Sequence, residues 1–371
     1  MHRNYKKEGQ FRGIMKQHNI MVFIGNGFDI SILQKYRDDK LISSYSKFYD
    51  FLCCKEFNHD NLLFKKMNSD KEKGKENWSD FEESISELLS ESYPRDEIYD
   101  ALKEMQNMFL LFLNKLVTSE ILLKLNDDIL NNHWGITALS EFLGDLDKES
   151  FEKIEFPRKT NHYHMLNYLF INFNYTSLFD NYIHLDRYGF EPHPYRTVDT
   201  NFSFFPNPNG YKKIGTNDET KWSSFIMTDI IHPHGYQNIP RSLLFGIEDD
   251  PKASGSNRIT FNKSYWAQCN QKYKSYFEDT ELFIIYGMSI GKSDSWWWDN
   301  IYHSLLNEKS ELIIYFFDKD NTYSYEDIKD KFISSCSANS NEEEKSKIKE
   351  RIYVVKYNSE NNLKMFGFGN N

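Results

Sequence analysis

The chain has 371 residues, with 45 Lys plus Arg against 55 Asp plus Glu and a net charge of −10; that length suits about two domains, or one large α/β domain carrying insertions. A mean hydropathy of −0.68 argues against a membrane-embedded protein, because no run comes near the roughly 18 apolar residues of a spanning helix. The acidic balance, with a pI near 5.6, disfavours broad nucleic-acid binding.

The four cysteines, Cys53, Cys54, Cys269 and Cys336, form neither a disulfide framework nor a zinc-type spacing. The first apolar stretch, Ile20–Ile24, is too short for a signal-peptide core, so a cytoplasmic location is expected. That stretch reads as a buried parallel strand running into Gly25-Asn26-Gly27-Phe28-Asp29 and then a helix. From Ser43 to Ser150 the pattern is helical. Ser43–Cys54 carries Tyr45, Phe48, Tyr49 and Leu52 at helical spacing, the polar stretch Lys65–Asn77 reads as a loop or linker, and Ser79-Asp80-Phe81-Glu82 reads as a capping box. Asp96–Val117 repeats Ala101, Met105, Met108, Phe109, Phe112 and Leu116 on one face of a long amphipathic helix. Beyond Met165, strands at Tyr168–Phe173, Ile226–His232, Leu282–Met288, Leu312–Phe317 and Ile352–Val355 alternate with helices at Thr176–Leu185, Asn262–Phe277, Ser293–Leu306 and Tyr325–Ser334. Such alternation predicts βαβ units and a parallel sheet. Glu191–Thr220, rich in Pro, Asn and Gly, reads as a long surface loop or lid.

Several strand ends carry residues suited to chemistry. Gly25-x-Gly27 lets backbone approach a phosphate at a helix start, although the third glycine of the dinucleotide fingerprint is missing, and a plain tight turn explains it equally well. Asp29 either caps the helix or accepts ligand hydroxyls. Asn172 and Asn174 fall on one side of a strand end, where short amides orient a ribose or a water; the plainer reading is a turn at Asn174 and a helix cap at Thr176. His232-Pro233-His234-Gly235 offers a general base at another strand end, or a pair of metal ligands, with His162-Tyr163-His164 repeating the spacing. No acidic residue sits at a familiar metalloprotease offset, and a metal site is the lesser reading. Gly287-Met288-Ser289-Ile290-Gly291 closes a further strand, followed by Asp294 and the Trp296-Trp297-Trp298 run, whose tryptophans read as core or interface anchors. Asp318 ends the next strand, where a carboxylate can hold a ribose diol.

Taken together, Ile24-Gly25-Asn26-Gly27-Phe28-Asp29, Trp78-x-x-Phe81-Glu82, Asn172-Phe173-Asn174-Tyr175-Thr176, His232-Pro233-His234-Gly235, Phe245-Gly246-Ile247 and Gly287-Met288-Ser289-Ile290 resemble the AbiH family of bacterial abortive-infection proteins. More distantly, they are similar to sirtuin-like NAD-consuming domains of phage-defence systems. The resemblance implies an α/β, Rossmann-like (sirtuin-like) parallel sheet formed by residues 1–42 and 160–371, with a helical insertion over 43–159. It implies NAD+ as substrate, cleavage of the nicotinamide–ribose bond, Asn174 and His234 as catalytic residues, and no metal. Cofactor contacts fall to Gly25, Asn26, Gly27, Phe28 and Asp29, to Asn172 and Thr176, to Gly287 and Ser289, and to Asp318. A phage trigger and a homo-oligomer or companion defence protein are the expected partners. Asn172 and Thr176 stand where sirtuins carry Thr and Asp, and the zinc-binding cysteines of sirtuin deacylases are absent. The alternatives are a nucleotide sensor or scaffold without turnover, and a metal-dependent nuclease or phosphohydrolase built on His232 and His234. Glu82 reads as a helix-cap residue more than a cleft residue.

Overall fold

A computed structural model describes Tyr5 and residues 16–75, 78–91, 93–158, 164–186, 225–239, 242–247, 260–307, 309–337 and 341–368. Six strands form one sheet: β1 (Lys16–Ile24), β2 (His164–Asn172), β3 (Phe225–Ile231), β4 (Leu282–Tyr286), β5 (Glu311–Phe317) and β6 (Ile352–Tyr357). They are ordered β3-β2-β1-β4-β5-β6, and every neighbouring pair is parallel. This is the Rossmann-type order, in which the chain departs from β1 in opposite directions and leaves a crevice at the strands' carboxyl ends. Ile24 pairs with Asn172 on one side and Tyr286 on the other, so three strands end level at that crevice.

The strands carry apolar runs on both sides, such as Ile20–Ile24 and Leu282–Tyr286, because helices cover both faces. Ile20, Val22 and Ile24 face one core, which is continuous with the helices that follow β1. Met21 and Phe23 face a second core with Trp297, Trp298, Phe332 and Ile348. Between β1 and β2 come α1 (Asn26–Tyr36), α2 (Tyr45–Cys54), α3 (Leu62–Glu72), α4 (Phe81–Ser90), α5 (Arg95–Leu116), α6 (Ser119–Asn132), α7 (Trp134–Glu141) and α8 (Lys148–Lys153). After β2 lies α9 (Leu178–Asp186), and the second half carries α10 (Ser295–Leu306), α11 (Tyr325–Ser335) and α12 (Glu342–Glu350). In α5, Ile98, Leu102, Met105, Phe109, Phe112 and Leu116 are buried at three- and four-residue spacing, placing Phe109 against Tyr175 and Phe245 beside the crevice.

Three local expectations are corrected. Lys65–Asn77 is no linker: α3 runs through most of it, because the Asn61 side chain accepts from the Leu63 and Phe64 amides and Leu63, Phe64 and Met67 are buried. The cap of α4 is Asp80, which accepts from the amides of Glu82 and Glu83, so Glu82 has no reciprocal capping duty. Asn262–Phe277 is three short turns, Lys263–Trp266, Cys269–Lys272 and Lys274–Asp279, broken where Gln268 takes a left-handed φ of 56°. The expected Glu191–Thr220 loop lies outside the described residues, as does His162. His164 sits at the amino end of the sheet, 3.2 Å from the His18 ring, away from the crevice.

Candidate functional site

At the carboxyl ends of the strands lies a cleft of about 660 Å³, within the range of small-molecule sites. Its floor is the β1–α1 turn. The Gly25 amide donates to the Tyr286 carbonyl at 2.9 Å and the Gly27 amide to the Gly287 carbonyl at 2.8 Å. A Cβ on Gly25 would lie 2.5 Å from the Gly287 oxygen, and one on Gly27 would lie 2.7 Å from the Gly287 Cα, so the two glycines let β1 and β4 close on each other. The Phe28 amide bonds the Gly25 carbonyl at 3.1 Å. Of the amides expected to cradle a phosphate, those of Gly25, Gly27 and Phe28 are therefore engaged internally. The Asn26 side chain joins the turn to Ser43 by two hydrogen bonds, and the Phe28 ring is buried among Phe179, Tyr182 and Phe366.

Asp29, in the first turn of α1, is 1 % exposed and lines the cleft. Its Oδ2 accepts from the Thr176 hydroxyl at 2.6 Å, while Oδ1 has no hydrogen-bond partner among the described residues. Burial drives its carboxyl up to about 7, with Thr176 opposing and Asp180 adding to the rise. A buried carboxylate oxygen left open in a cleft is a functional signal. Asn172 is fully buried and lies outside the cleft lining; its Oδ1 accepts from the Asn174 amide at 3.0 Å, which folds the chain back at the end of β2. Asn174 lines the cleft, and its Nδ2 donates to the Gly25 carbonyl at 3.1 Å.

The two histidines of His232-Pro233-His234 diverge, with different partners, and do not act as a pair of metal ligands. The chain turns here, with the Gly235 amide bonded to the His232 carbonyl at 3.2 Å and Gly235 at φ 92°. His232 Nδ1 donates to the Asn174 carbonyl at 3.0 Å, and its Nε2 lies 3.0 Å from Asp180 Oδ1. His232 thereby holds the Asn174 turn. His234 lies across the Phe173 ring with centroids 4.9 Å apart, and its Nε2 is 3.5 Å from Asp294 Oδ1. Burial pushes its pKa down to about 3, and Lys263 lowers it further against Asp294, so the ring is neutral.

Sequence reasoning missed Lys263, the group that brings Glu82 and Asp294 together beside His234. Lys263, 3 % exposed, places Nζ 3.3 Å from Asp294 Oδ1 and 3.6 Å from Glu82 Oε1. Burial alone would raise Asp294, but Lys263 beside it pulls its carboxyl below the usual range. Glu82 accepts from the Gly246 amide at 3.0 Å and from the Tyr45 hydroxyl at 3.2 Å, and burial leaves its carboxyl raised despite Lys263. Glu82 is thus a cleft residue. Gly287, at φ 67°, and Ser289 also line the cleft. Asp318 does not: its carboxylate accepts the amides of Thr322 and Tyr323, each at 3.0 Å, and closes the turn after β5.

Residues 21–316 match the family described as Bacteriophage abortive infection AbiH. The chain belongs to the AbiH family. The match begins in β1 and ends in β5, so it takes in the helical run and every cleft residue named above. AbiH membership assigns the chain to bacteriophage abortive-infection defence. No curated relative matches it. Among the described residues of this AbiH chain, no helix is long and apolar enough to cross a membrane, and no three His, Cys, Asp or Glu side chains are grouped to hold a metal ion.

Proposed function

We propose that this AbiH chain is an NAD+ hydrolase that cleaves the nicotinamide–ribose bond and so depletes the infected cell. What supports the reading above all is that Asn174 and His234, from two different strand ends, line one cleft at the switch point of a Rossmann-type sheet. The C1′–N bond breaks with its electron pair passing to the pyridinium nitrogen, so nicotinamide leaves neutral without a general acid. A water oxygen then bonds C1′ and its proton passes to His234. Asn174 orients that water or the ribose hydroxyls. Asp29 Oδ1 accepts a ribose hydroxyl. The cation developing on the sugar meets a cleft in which, among the described residues, the carboxyl groups of Asp29, Asp80, Glu82 and Asp294 outnumber the ammonium groups of Lys263 and Lys331, a favourable field for an oxocarbenium-like transition state.

A second reading, a nucleotide sensor without turnover, is favoured by one feature: the Gly25 and Gly27 amides are already bonded to the end of β4. Nicotinamide release from NAD+ by the purified chain, with and without infected-cell extract, separates the two. The hydrolase reading expects release that falls by about 10²-fold or more in His234→Ala and Asn174→Ala. Saturable NAD+ binding with no release under either condition would favour the sensor.

A further inference from the structure

The geometry points to Glu82, Lys263 and Asp294 as a positioning chain of charges that ties the helical run to His234, with Glu82 facing Lys263, Lys263 facing Asp294, and Asp294 facing the imidazole. The links come from three separate parts of the sequence. Glu82 is on α4, Lys263 opens the short turn Lys263–Trp266, and Asp294 lies between β4 and α10. All three side chains are largely buried, at 12 %, 3 % and 15 % exposure respectively. The contacts run in order, 3.6 Å from Glu82 to Lys263, 3.3 Å from Lys263 to Asp294 and 3.5 Å from Asp294 to His234 Nε2.

Among the described residues Asp294 Oδ1 makes no hydrogen bond, so it acts on the imidazole through its charge, and a buried carboxylate is kept ionised by a nearby cation. Lys263 supplies that cation, and Glu82 anchors it. The same Glu82 oxygen takes the Gly246 amide, while the Leu244 amide bonds the His234 carbonyl at 2.8 Å, so the His234 turn is also braced from α4 through the backbone. Gln106 of α5 adds a bond to the Leu243 carbonyl at 3.2 Å. Among the described residues, the charged groups facing His234 are Lys263 and Asp294, with Asp80 and Glu82 next to Lys263. A displacement of α4 therefore reaches the imidazole through two routes, one ionic and one along the backbone. That gives an effector acting on the helical run a direct hold on the histidine.

The inference rests on the hydrolase reading for its catalytic meaning, but its test needs no turnover. The His234 ring is followed by ¹³C-detected pH titration of the full chain, the resonance being assigned by its loss in His234→Gln. In wild type the ring stays neutral in mild acid. Lys263→Met removes the cation that disfavours the imidazolium, so the His234 midpoint rises by about 1–3 pH units, and Lys263→Arg restores the wild-type titration. Glu82→Gln shifts the His234 resonances, whereas Glu83→Gln, at the surface of the same helix, does not. An unchanged His234 titration in Lys263→Met would overturn the chain. So would equal effects of Glu82→Gln and Glu83→Gln, and this comparison decides the matter if Lys263→Met does not fold. Absence of nicotinamide release alongside a shifted titration would remove the hydrolase and leave the chain standing.

Discussion

Replacing Asp29 with Asn should stabilise the fold in mild alkali. Asp29 is buried with one carboxylate oxygen unpaired, and its carboxyl is moved from 3.8 up to about 7. The folded chain therefore holds this proton to higher pH than the unfolded chain does. The associated stability is fully present below about pH 4 and is lost as the pH rises through about 7. At about 1.4 kcal/mol per pH unit, the ionised group costs the fold about 4 kcal/mol once both states are deprotonated. Asparagine has nearly the same shape, can still accept from Thr176, and never ionises. Urea unfolding without nucleotide, at about pH 5 and about pH 8.5 with a common m-value, should show the Asn variant gaining about 2–3 kcal/mol on wild type between the two. The same variant should lose nucleotide binding, since the oxygen that accepts a ribose hydroxyl would be altered. A pH-independent difference, or a wild type more stable than the variant at the alkaline point, would refute the reasoning and indicate that the carboxylate is compensated within the fold.

His234 supplies the opposite slope. Its pKa is depressed to about 3, so its stability is present above the unfolded value of about 6.5 and is lost as the pH falls toward 3. Between about pH 4 and 6.5 the two groups offset each other, and Asp29→Asn should therefore lose stability in acid more steeply than wild type. Thr176→Val removes the one hydroxyl that opposes the Asp29 shift, so the pH at which wild-type stability falls should move higher in the same urea series. Gly235→Ala places a Cβ 1.9 Å from the Ser242 carbonyl oxygen at a φ of 92°, and thermal unfolding should show a loss of about 3 kcal/mol or failure to fold. Asn26→Ala deletes the two bonds to Ser43 at an exposed position; a loss of only about 1 kcal/mol with NAD+ affinity intact would show that this residue fastens the turn rather than the ligand.

The sheet was legible because buried parallel strands announce themselves: Ile20–Ile24 and Leu282–Tyr286 are unbroken apolar runs followed by glycine. Polar helices are harder to read. α3 buries only Leu63, Phe64, Met67 and Asp70, and its remaining residues resemble a linker when read as composition. The break at Gln268 was invisible because a left-handed glutamine carries no turn signature. In the cleft, Asn174, His234, Asp29 and Thr176 were found through their position after strands. Phe28 and Asp318 satisfy the same positional rule, yet they serve the core and a turn. Lys263 has no local pattern at all. Its meaning appears only when Glu82 and Asp294, far from it in sequence, close around it. Glu82 was the nearest thing to a clue, since a capping-box reading was available and the cap proved to be Asp80.

The most direct test of the central claim is a crystal structure of the His234→Ala chain with NAD+ bound. The account predicts the nicotinamide ribose between Asn174 and the emptied imidazole position, its anomeric carbon about 3–4 Å from where water is held, with a sugar hydroxyl on Asp29 Oδ1. A dinucleotide seated elsewhere, or bound with its ribose turned away from Asn174, would contradict it.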